Sequence, residues 1–423
     1  MLREGPLSAY LRWAKQQRRD FVVWSGPTPR VVVIEPESVR EVLRSEDFVR
    51  NPEAVATMFG RSLLRLAGKP WRARRSMLAP AFRGQGLGQA VEIVQSETEA
   101  LIARWRGHGG RTFRPTRELS FCMLKILGRL LFGHEFEAGE GGGSTLHRTL
   151  VILASDSVAR HFLPPAIADL RDRGRARAAR AELDALCGRL LQSGGSTPFM
   201  TALRGGLARG ELDRATVIDE LRAFLIAGHE TSATAAAWSL AQLAAHPELA
   251  ADIVAEGKEA ASFTSPGEVG GLTASARFVK ETMRLFPAVP LATAQPVRDL
   301  RLGRLDIPRG TQLDISCFVQ HRLPWLWPQA KTFDPERFCV APREGIYLPF
   351  LLGPHTCVGM QLAMLELPLM LSRLAAEFEF ELPAGPPTLN LRVSLHPAGL
   401  QLRARARRST LAAVSGTGAF PRI

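Results

Sequence analysis

Phe350-Leu351-Leu352-Gly353-Pro354-His355-Thr356-Cys357-Val358-Gly359 places a cysteine just ahead of an apolar helical pattern. A thiolate at a helix N-terminus meets backbone N–H groups and the positive end of the helix dipole. That setting lowers a thiol's pKa and holds the anion, as a metal ligand requires. Gly353 permits a tight turn, and Gly359 permits close approach of the backbone to a flat partner. Phe350 is placed to shield the sulfur from water, and His355 to donate to a carboxylate. Standing alone, the stretch suits a small buried cysteine in a glycine-rich turn equally well. The rest of the chain decides between the two.

The chain has 423 residues, 46% hydrophobic and 22% charged, enough for a large core and too apolar for wholesale disorder. Its cysteines, Cys122, Cys187, Cys317, Cys339 and Cys357, are scattered, odd in number and free of any C-x-x-C pair. Neither a disulfide framework nor a zinc site is expected, and a reducing cytoplasmic location fits. The net charge of +13 comes almost wholly from arginine, since the lysines are Lys15, Lys69, Lys125, Lys258, Lys280 and Lys331 alone. Such a balance suits nucleic acid, an anionic membrane or an acidic protein partner. Here the arginines are interleaved with Asp, Glu and Ala, so nucleic acid is not expected as a partner. The N-terminal segment carries Arg3, Glu4, Arg12, Lys15, Arg18 and Arg19 without a long apolar run. Neither a signal peptide nor a membrane anchor is expected, and the chain reads as a soluble monomer.

Local patterns predict a mainly α domain over 1–405, with small β parts near 21–35 and 290–320 and a flexible tail over 406–423. Val31-Val32-Val33-Ile34 after Gly26-Pro27-Thr28-Pro29 reads as a hairpin. Helical patterns dominate from Pro36 to about Arg209, with plain glycine-rich loops at 139–144 and 193–196. Asp213 is a good N-cap for a long helix reaching about Ala245, before Pro247. A second helix spans roughly Ala274 to Leu285. Strands follow between Leu300 and Phe318, then a long helix after Cys357 that Pro368 should kink, and short strands near 389–402.

Three further motifs recur at helical spacing. Glu281 and Arg284 share a helix face and can pair, and Trp71 and Arg75 stand one turn apart. Ala227-Gly228-His229-Glu230-Thr231 puts a glycine inside a helix, which costs about 1 kcal/mol relative to alanine and calls for a local reason. One such reason is a helix-packing notch beside a threonine bonded back to its own helix.

Together these stretches resemble the cytochrome P450 family, in its soluble bacterial type, and the likeness runs from Pro36 to about Arg403. Phe350, Gly353, His355, Cys357 and Gly359 match its heme-binding signature F-x-x-G-x-[R/H]-x-C-x-G. Glu281-Thr282-Met283-Arg284 resembles its E-x-x-R, Pro335-Glu336-Arg337-Phe338 its P-E-R-F, Ala227 to Thr231 its A-G-x-[D/E]-T, and Trp71 to Arg75 its W-x-x-x-R. The resemblance implies a cytochrome P450 fold and heme b as cofactor, with Cys357 the axial iron ligand. It implies heme contacts from Trp71, Arg75, Ala227, Gly228, Phe350, Gly353, His355 and Gly359, and a structural network of Glu281, Arg284 and Arg337. Thr231 and Glu230 would be catalytic, handling dioxygen and relaying protons from solvent. One departure stands out. Where the family usually places an Arg or His toward a propionate, this chain has Leu291-Ala292-Thr293-Ala294-Gln295-Pro296, leaving Gln295 as the candidate contact.

By the same analogy Val55, Met58, Phe59, Leu63, Phe224, Ala227, Val289, Leu291, Ala292 and Val393 would line an apolar substrate pocket. The implied activity is dioxygen-dependent hydroxylation or epoxidation of a hydrophobic small molecule of specialised metabolism, such as a terpenoid, fatty acyl or polyketide-like compound. Oxidative coupling, desaturation or rearrangement, and a non-enzymatic heme sensor or ligand carrier, are the alternatives. No flavin or ferredoxin motif occurs, so electrons would come from a separate ferredoxin or flavodoxin with its reductase. Lys69, Arg72 and Arg74 would form its docking face.

Overall fold

Asp213 does what its sequence position predicts: its carboxylate accepts the Thr216 N–H at 2.7 Å and starts the helix Arg214–Ala245. Most of this helix is buried, and it runs through the centre of the molecule. The structure, a computed structural model, describes residues 5–25, 28–49, 56–137, 149, 152–153, 156, 173–193, 195–391 and 394–407. Its longer helices are α1 (Pro6–Gln17), α2 (Pro36–Arg44), α3 (Gly68–Leu78), α4 (Ala90–Gly107), α5 (Thr116–Leu127), α6 (Arg173–Ser193), α7 (Pro198–Ala208), α8 (Arg214–Ala245), α9 (Ala250–Ala260), α10 (Thr273–Leu285) and α11 (Met360–Glu377). The main core gathers around α8 from α4, α5, α10 and α11.

The predicted hairpin is present: β1 (Phe21–Ser25) pairs antiparallel with β2 (Thr28–Val33), Phe21 opposite Val32. Two-residue strands β3 (Phe48–Val49) and β4 (Thr112–Phe113) interrupt the expected helical stretch. After α10 come β5 (Ala292–Pro296), β6 (Leu300–Leu302), β7 (Leu305–Ile307) and β8 (Gln312–Ile315). A five-stranded sheet forms in the order β1-β2-β8-β5-β3, with β2 and β8 parallel. The C-terminal strands are β9 (Phe378–Glu381), β10 (Thr388–Leu391), β11 (Leu395–Ala398) and β12 (Leu402–Ala406). Ala406 still pairs with Phe378, and Arg407 N–H donates to the Glu377 carbonyl, so ordered pairing continues past residue 405. Residues 408–423 of the predicted tail and the loop at 139–144 lie outside the described residues. Pro368 sits inside α11, which continues through it as one helix.

Glu281 and Arg284 on α10 are both wholly buried, and the guanidinium grips the carboxylate twice, at 2.6 and 2.7 Å. A buried ion pair is tolerable only when its remaining donors and acceptors are satisfied. Here Arg284 also donates to the carbonyls of His321, Ala330 and Thr332. Glu281 accepts the Asp334 N–H at 2.9 Å, and Arg337 Nε lies 3.4 Å from the same carboxylate. The loop over 321–337, which carries little regular structure of its own, is thus folded around two side chains of α10.

His321 extends this frame to the cysteine stretch. Its Nε2 accepts the Leu348 N–H at 2.8 Å, which leaves Nδ1 to donate to the Arg284 carbonyl at 3.0 Å. Burial pushes this imidazole down to about 3, so it is neutral in the folded protein.

Two outcomes are expected. Glu281→Ala strands the buried Arg284 guanidinium and should destabilise the fold by about 3–5 kcal/mol, read as a lowered midpoint of denaturant unfolding; an unchanged midpoint would contradict the frame. For His321, the unfolded chain takes up a proton that the folded chain refuses as pH falls from 6.5 toward about 3. Burial raises Glu220 and Glu366 to about 7 each, which acts in the opposite sense. The wild type should therefore lose stability on acidification relative to His321→Asn, by up to about 1.4 kcal/mol per pH unit. Parallel pH profiles of the two proteins would refute this.

Candidate functional site

The cysteine stretch is shaped by two left-handed residues, Leu351 at φ 58 and Gly353 at φ 75. A Cβ on Gly353 would lie 2.4 Å from the Leu43 carbonyl oxygen, so α2 presses on this turn and only glycine fits. Thr356 closes the loop by donating its N–H and hydroxyl to the Gly353 carbonyl, at 3.1 and 2.7 Å. The Cys357 N–H reaches back to the Phe350 carbonyl at 3.0 Å. α11 then begins at Met360 with Gly359 as its N-cap, which leaves the thiol at the positive end of an 18-residue helix.

The five thiols separate on chemistry. Cys122, Cys187 and Cys317 are buried, and burial pushes each up to about 12. Cys339 is exposed, but its hydrogen bond to the Glu336 carboxylate raises its pKa as well. Cys357 is exposed, stands at a helix N-terminus and lies within electrostatic reach of Arg75. Burial lowers the Arg75 guanidinium from its usual value, and Cys357 opposes that shift. On the same rim, the rings of Trp71 and His355 pack with centroids 4.0 Å apart. α3 and the cysteine loop therefore bring together Trp71, Arg75, Phe350, His355 and Cys357. A Cβ at Gly359 would meet only the Cys357 sulfur, at 4.0 Å, so the backbone lies open beside it. This donor set fits a thiolate-ligated, carboxylate-bearing planar cofactor such as heme: an exposed sulfur, a bare glycine and cationic or ring N–H donors at the edge.

Across the molecule, α8 is buried from Asp219 to Ala241 except at Ala227, Gly228 and Thr231, which share one face. The Thr231 hydroxyl donates to the Ala227 carbonyl at 2.7 Å. At Gly228 a Cβ would lie 2.6 Å from Leu127 Cδ1, so α5 packs closely on α8 at this position. Glu230 points to the C-terminal strands, where Ser394 Oγ donates to it at 3.2 Å and also lies 2.8 Å from Thr234 Oγ1. Neighbouring Ser232 donates to Glu366 on α11, which ties the Thr231 turn to the helix that follows Cys357. His229 is buried, with Nδ1 2.7 Å from the Leu225 carbonyl.

Ser394, Thr234, Ser232, Glu366 and His321 were not anticipated from the sequence. Each is an ordinary polar residue whose partner lies far along the chain, and no local pattern marks such a pair.

Several expected positions are corrected. Gln295 donates its amide to the Gly310 carbonyl at 3.1 Å, which engages it at the turn before β8 rather than at the cysteine site. Phe224 is buried in an aromatic cluster, stacked on Phe82 at 5.4 Å and 4.8 Å from Phe199, so its ring is internal packing. Met58 and Leu63 are buried in the main core, with Phe59 against it. Arg74 turns inward to Glu220 on α8 and Arg72 pairs with Glu46, which removes Arg74 from any docking face. Val289 is exposed, with Leu291 and Ala292 half-buried beside it. This segment does approach Glu230: Leu395 N–H donates to the Ala288 carbonyl at 2.9 Å, beside Ser394. Val55 and Val393 lie outside the described residues.

The Cytochrome P450 family model matches residues 3–404. A cytokinin hydroxylase from Arabidopsis thaliana is 29% identical over 408 residues, covering 88% of this chain and 78% of that protein. An 11-oxo-beta-amyrin 30-oxidase from Glycyrrhiza uralensis is 28% identical, covering 86% and 76%. A 6-coordinated cytochrome P450 from Thermus thermophilus superposes with a TM-score of 0.75 at 26% identity, covering 95% of this chain and 98% of that one. The two sequence relatives named are plant proteins, so they do not mark out a soluble bacterial branch. Among the described residues no helix is long and apolar enough to cross a membrane. The chain belongs to the cytochrome P450 family and is a P450 monooxygenase.

Proposed function

We propose that this monooxygenase binds heme b through Cys357 and hydroxylates or epoxidises an apolar small molecule, a terpenoid or long acyl compound, with electrons from a separate protein donor. The observation that carries this reading is Cys357 itself, the one exposed thiol of the five that stands at a long helix's N-terminus beside a guanidinium. When bound there, heme supplies dioxygen activation and oxidation of a C–H bond or alkene. The protein's own groups do the rest. Trp71, His355 and Arg75 hold the cofactor's carboxylates by ring N–H donation and charge. Phe350, through its carbonyl, and the Gly353 turn fix the loop that carries the sulfur.

On the opposite face, the Thr231 hydroxyl is held by the Ala227 carbonyl and can turn to donate toward the oxygen side. Glu230 with Ser394 and Thr234 forms a hydrogen-bonded chain through which a proton can pass toward that face. Ala227, Val289, Leu291 and Ala292 offer the substrate an apolar surface. The names of two relatives, a cytokinin hydroxylase and an 11-oxo-beta-amyrin 30-oxidase, support small-molecule oxidation as the class. Five cysteines outside any disulfide support a reducing, cytoplasmic setting. Lys69 and Arg72 remain as exposed cations for an acidic donor protein.

Thr231→Val should leave reductant consumption running while product per reductant consumed falls about tenfold or more, the missing equivalents appearing as hydrogen peroxide. Mass analysis of the product should show the gain of one oxygen atom. Unchanged product yield in the variant would contradict the role given to Thr231, and a product without added oxygen would favour coupling or desaturation.

A further inference from the structure

One buried carboxylate on α8 has no part in the site described above. Glu220 is wholly shielded from water, about two turns ahead of Ala227 along the helix. Its Oε1 accepts the Leu63 N–H at 2.8 Å and also accepts from the Arg74 guanidinium. Oε2 has no hydrogen-bond partner among the described residues. A buried carboxylate satisfied on one oxygen only is costly. Both of its partners lie off its own helix, so what the carboxylate provides is a hold on α3 and on the short turn Leu63–Arg65 that leads into it.

α3 has little else to fix it. It has 11 residues, starts at Gly68 behind an Ala67 N-cap that makes no side-chain hydrogen bond, and holds no acidic residue in its first turn. So short a helix is marginal by itself and takes its position from tertiary contacts. Of its side chains only Leu78 is buried, with Trp71 and Met77 packed against the core. Trp71, Arg74, Arg75 and Leu78 fall at i, i+3, i+4 and i+7, along one face. Leu78 pins that face at its C-terminal end. The Arg74–Glu220 pair pins its middle, beside the two residues, Trp71 and Arg75, that stand at the cysteine site. Because Leu63 donates to the same oxygen, the chain entering α3 is tied to the same point.

We propose that Glu220 is a positioning residue for the cofactor: through Arg74 it sets α3 against α8, and so holds Trp71 and Arg75 at the cofactor's carboxylates. This role rests on the heme site proposed above. Burial raises the Glu220 carboxyl to about 7, while the Leu63 N–H and Arg74 pull the other way and Asp219 on the same helix adds to the rise. Asp219 is itself engaged by Arg222 and by Arg180 of α6, and Arg65 of the entering turn donates to the Gly60 carbonyl at 3.0 Å. The charge on Glu220, and with it the grip on Arg74, is therefore lost as pH falls through about 7.

The test follows, by absorbance, the loss of heme from the ferric heme-loaded protein to excess apomyoglobin, at about pH 6 and about pH 9. At the higher pH Glu220→Gln and Arg74→Gln should each release heme about tenfold faster than the wild type, through loss of one charge-assisted contact. At the lower pH the wild type should release it nearly as fast as either variant, since Glu220 is then uncharged. Groups common to all three proteins, His355 and Cys357 among them, cancel in that ratio. Combining the two substitutions should add little to either alone, and either single variant carries the test if the other does not fold. A ratio near one at the higher pH, an equal rise at both pH values, or full additivity in the double variant would overturn the proposal. Arg75→Gln reports on the heme site itself and should also release heme faster. Unchanged release from Arg75→Gln sinks the heme-site reading; faster release there with unchanged release from Glu220→Gln sinks the role of Glu220 alone.

Discussion

The buried pair of Glu281 and Arg284 is the constraint on which the rest of the structure depends. Two unit charges with no exposure to water survive only if every remaining donor and acceptor is met. The protein meets them by wrapping irregular chain around α10: carbonyls from His321, Ala330 and Thr332 for the guanidinium, the Asp334 N–H and Arg337 for the carboxylate. His321 then passes that order to Leu348, two residues before Phe350. The cysteine loop is positioned by a chain of satisfied polar groups rather than by regular secondary structure. This explains how a motif with no catalytic part can be needed for a reactive one.

A second link joins the two faces of the site. α11 starts beside Cys357 and carries Glu366 to Ser232, the neighbour of Thr231 on α8. Burial raises that carboxyl to about 7, so it ionises less readily than an exposed glutamate. The Cys357 loop and the Thr231 turn are held in one frame by this contact and by the packing of α8 on α11. Side chains that face outward from the site do the positioning, and those that face inward stay simple: a sulfur, a hydroxyl, small and apolar surfaces.

Much of this was legible in the sequence, because local rules dominate where elements begin and end. Asp213 as N-cap, the helix ending before Pro247, the β1–β2 hairpin and the i, i+3 pairing of Glu281 with Arg284 all follow from short-range geometry. The order and spacing of the motifs carried the cysteine reading. What failed was orientation. Gln295 turned to Gly310, Phe224 to an aromatic cluster and Arg74 to Glu220. Gly228 lies against Leu127 of α5. Each outcome depends on a partner outside the residue's own helix or strand, which periodicity within that element does not fix. The Glu230–Ser394–Thr234 chain was hidden for the same reason: a serine in a loop has no signature until the fold delivers it.

The most direct measurement is the absorption spectrum of the heme-loaded, reduced protein under carbon monoxide, recorded for the wild type and for Cys357→Ala. Thiolate ligation gives the CO complex a Soret band displaced to the red of that given by nitrogen ligation. The wild type should show the displaced band and Cys357→Ala should lack it. A displaced band that survives in Cys357→Ala would mean that another group holds the iron, and would contradict the assignment of Cys357.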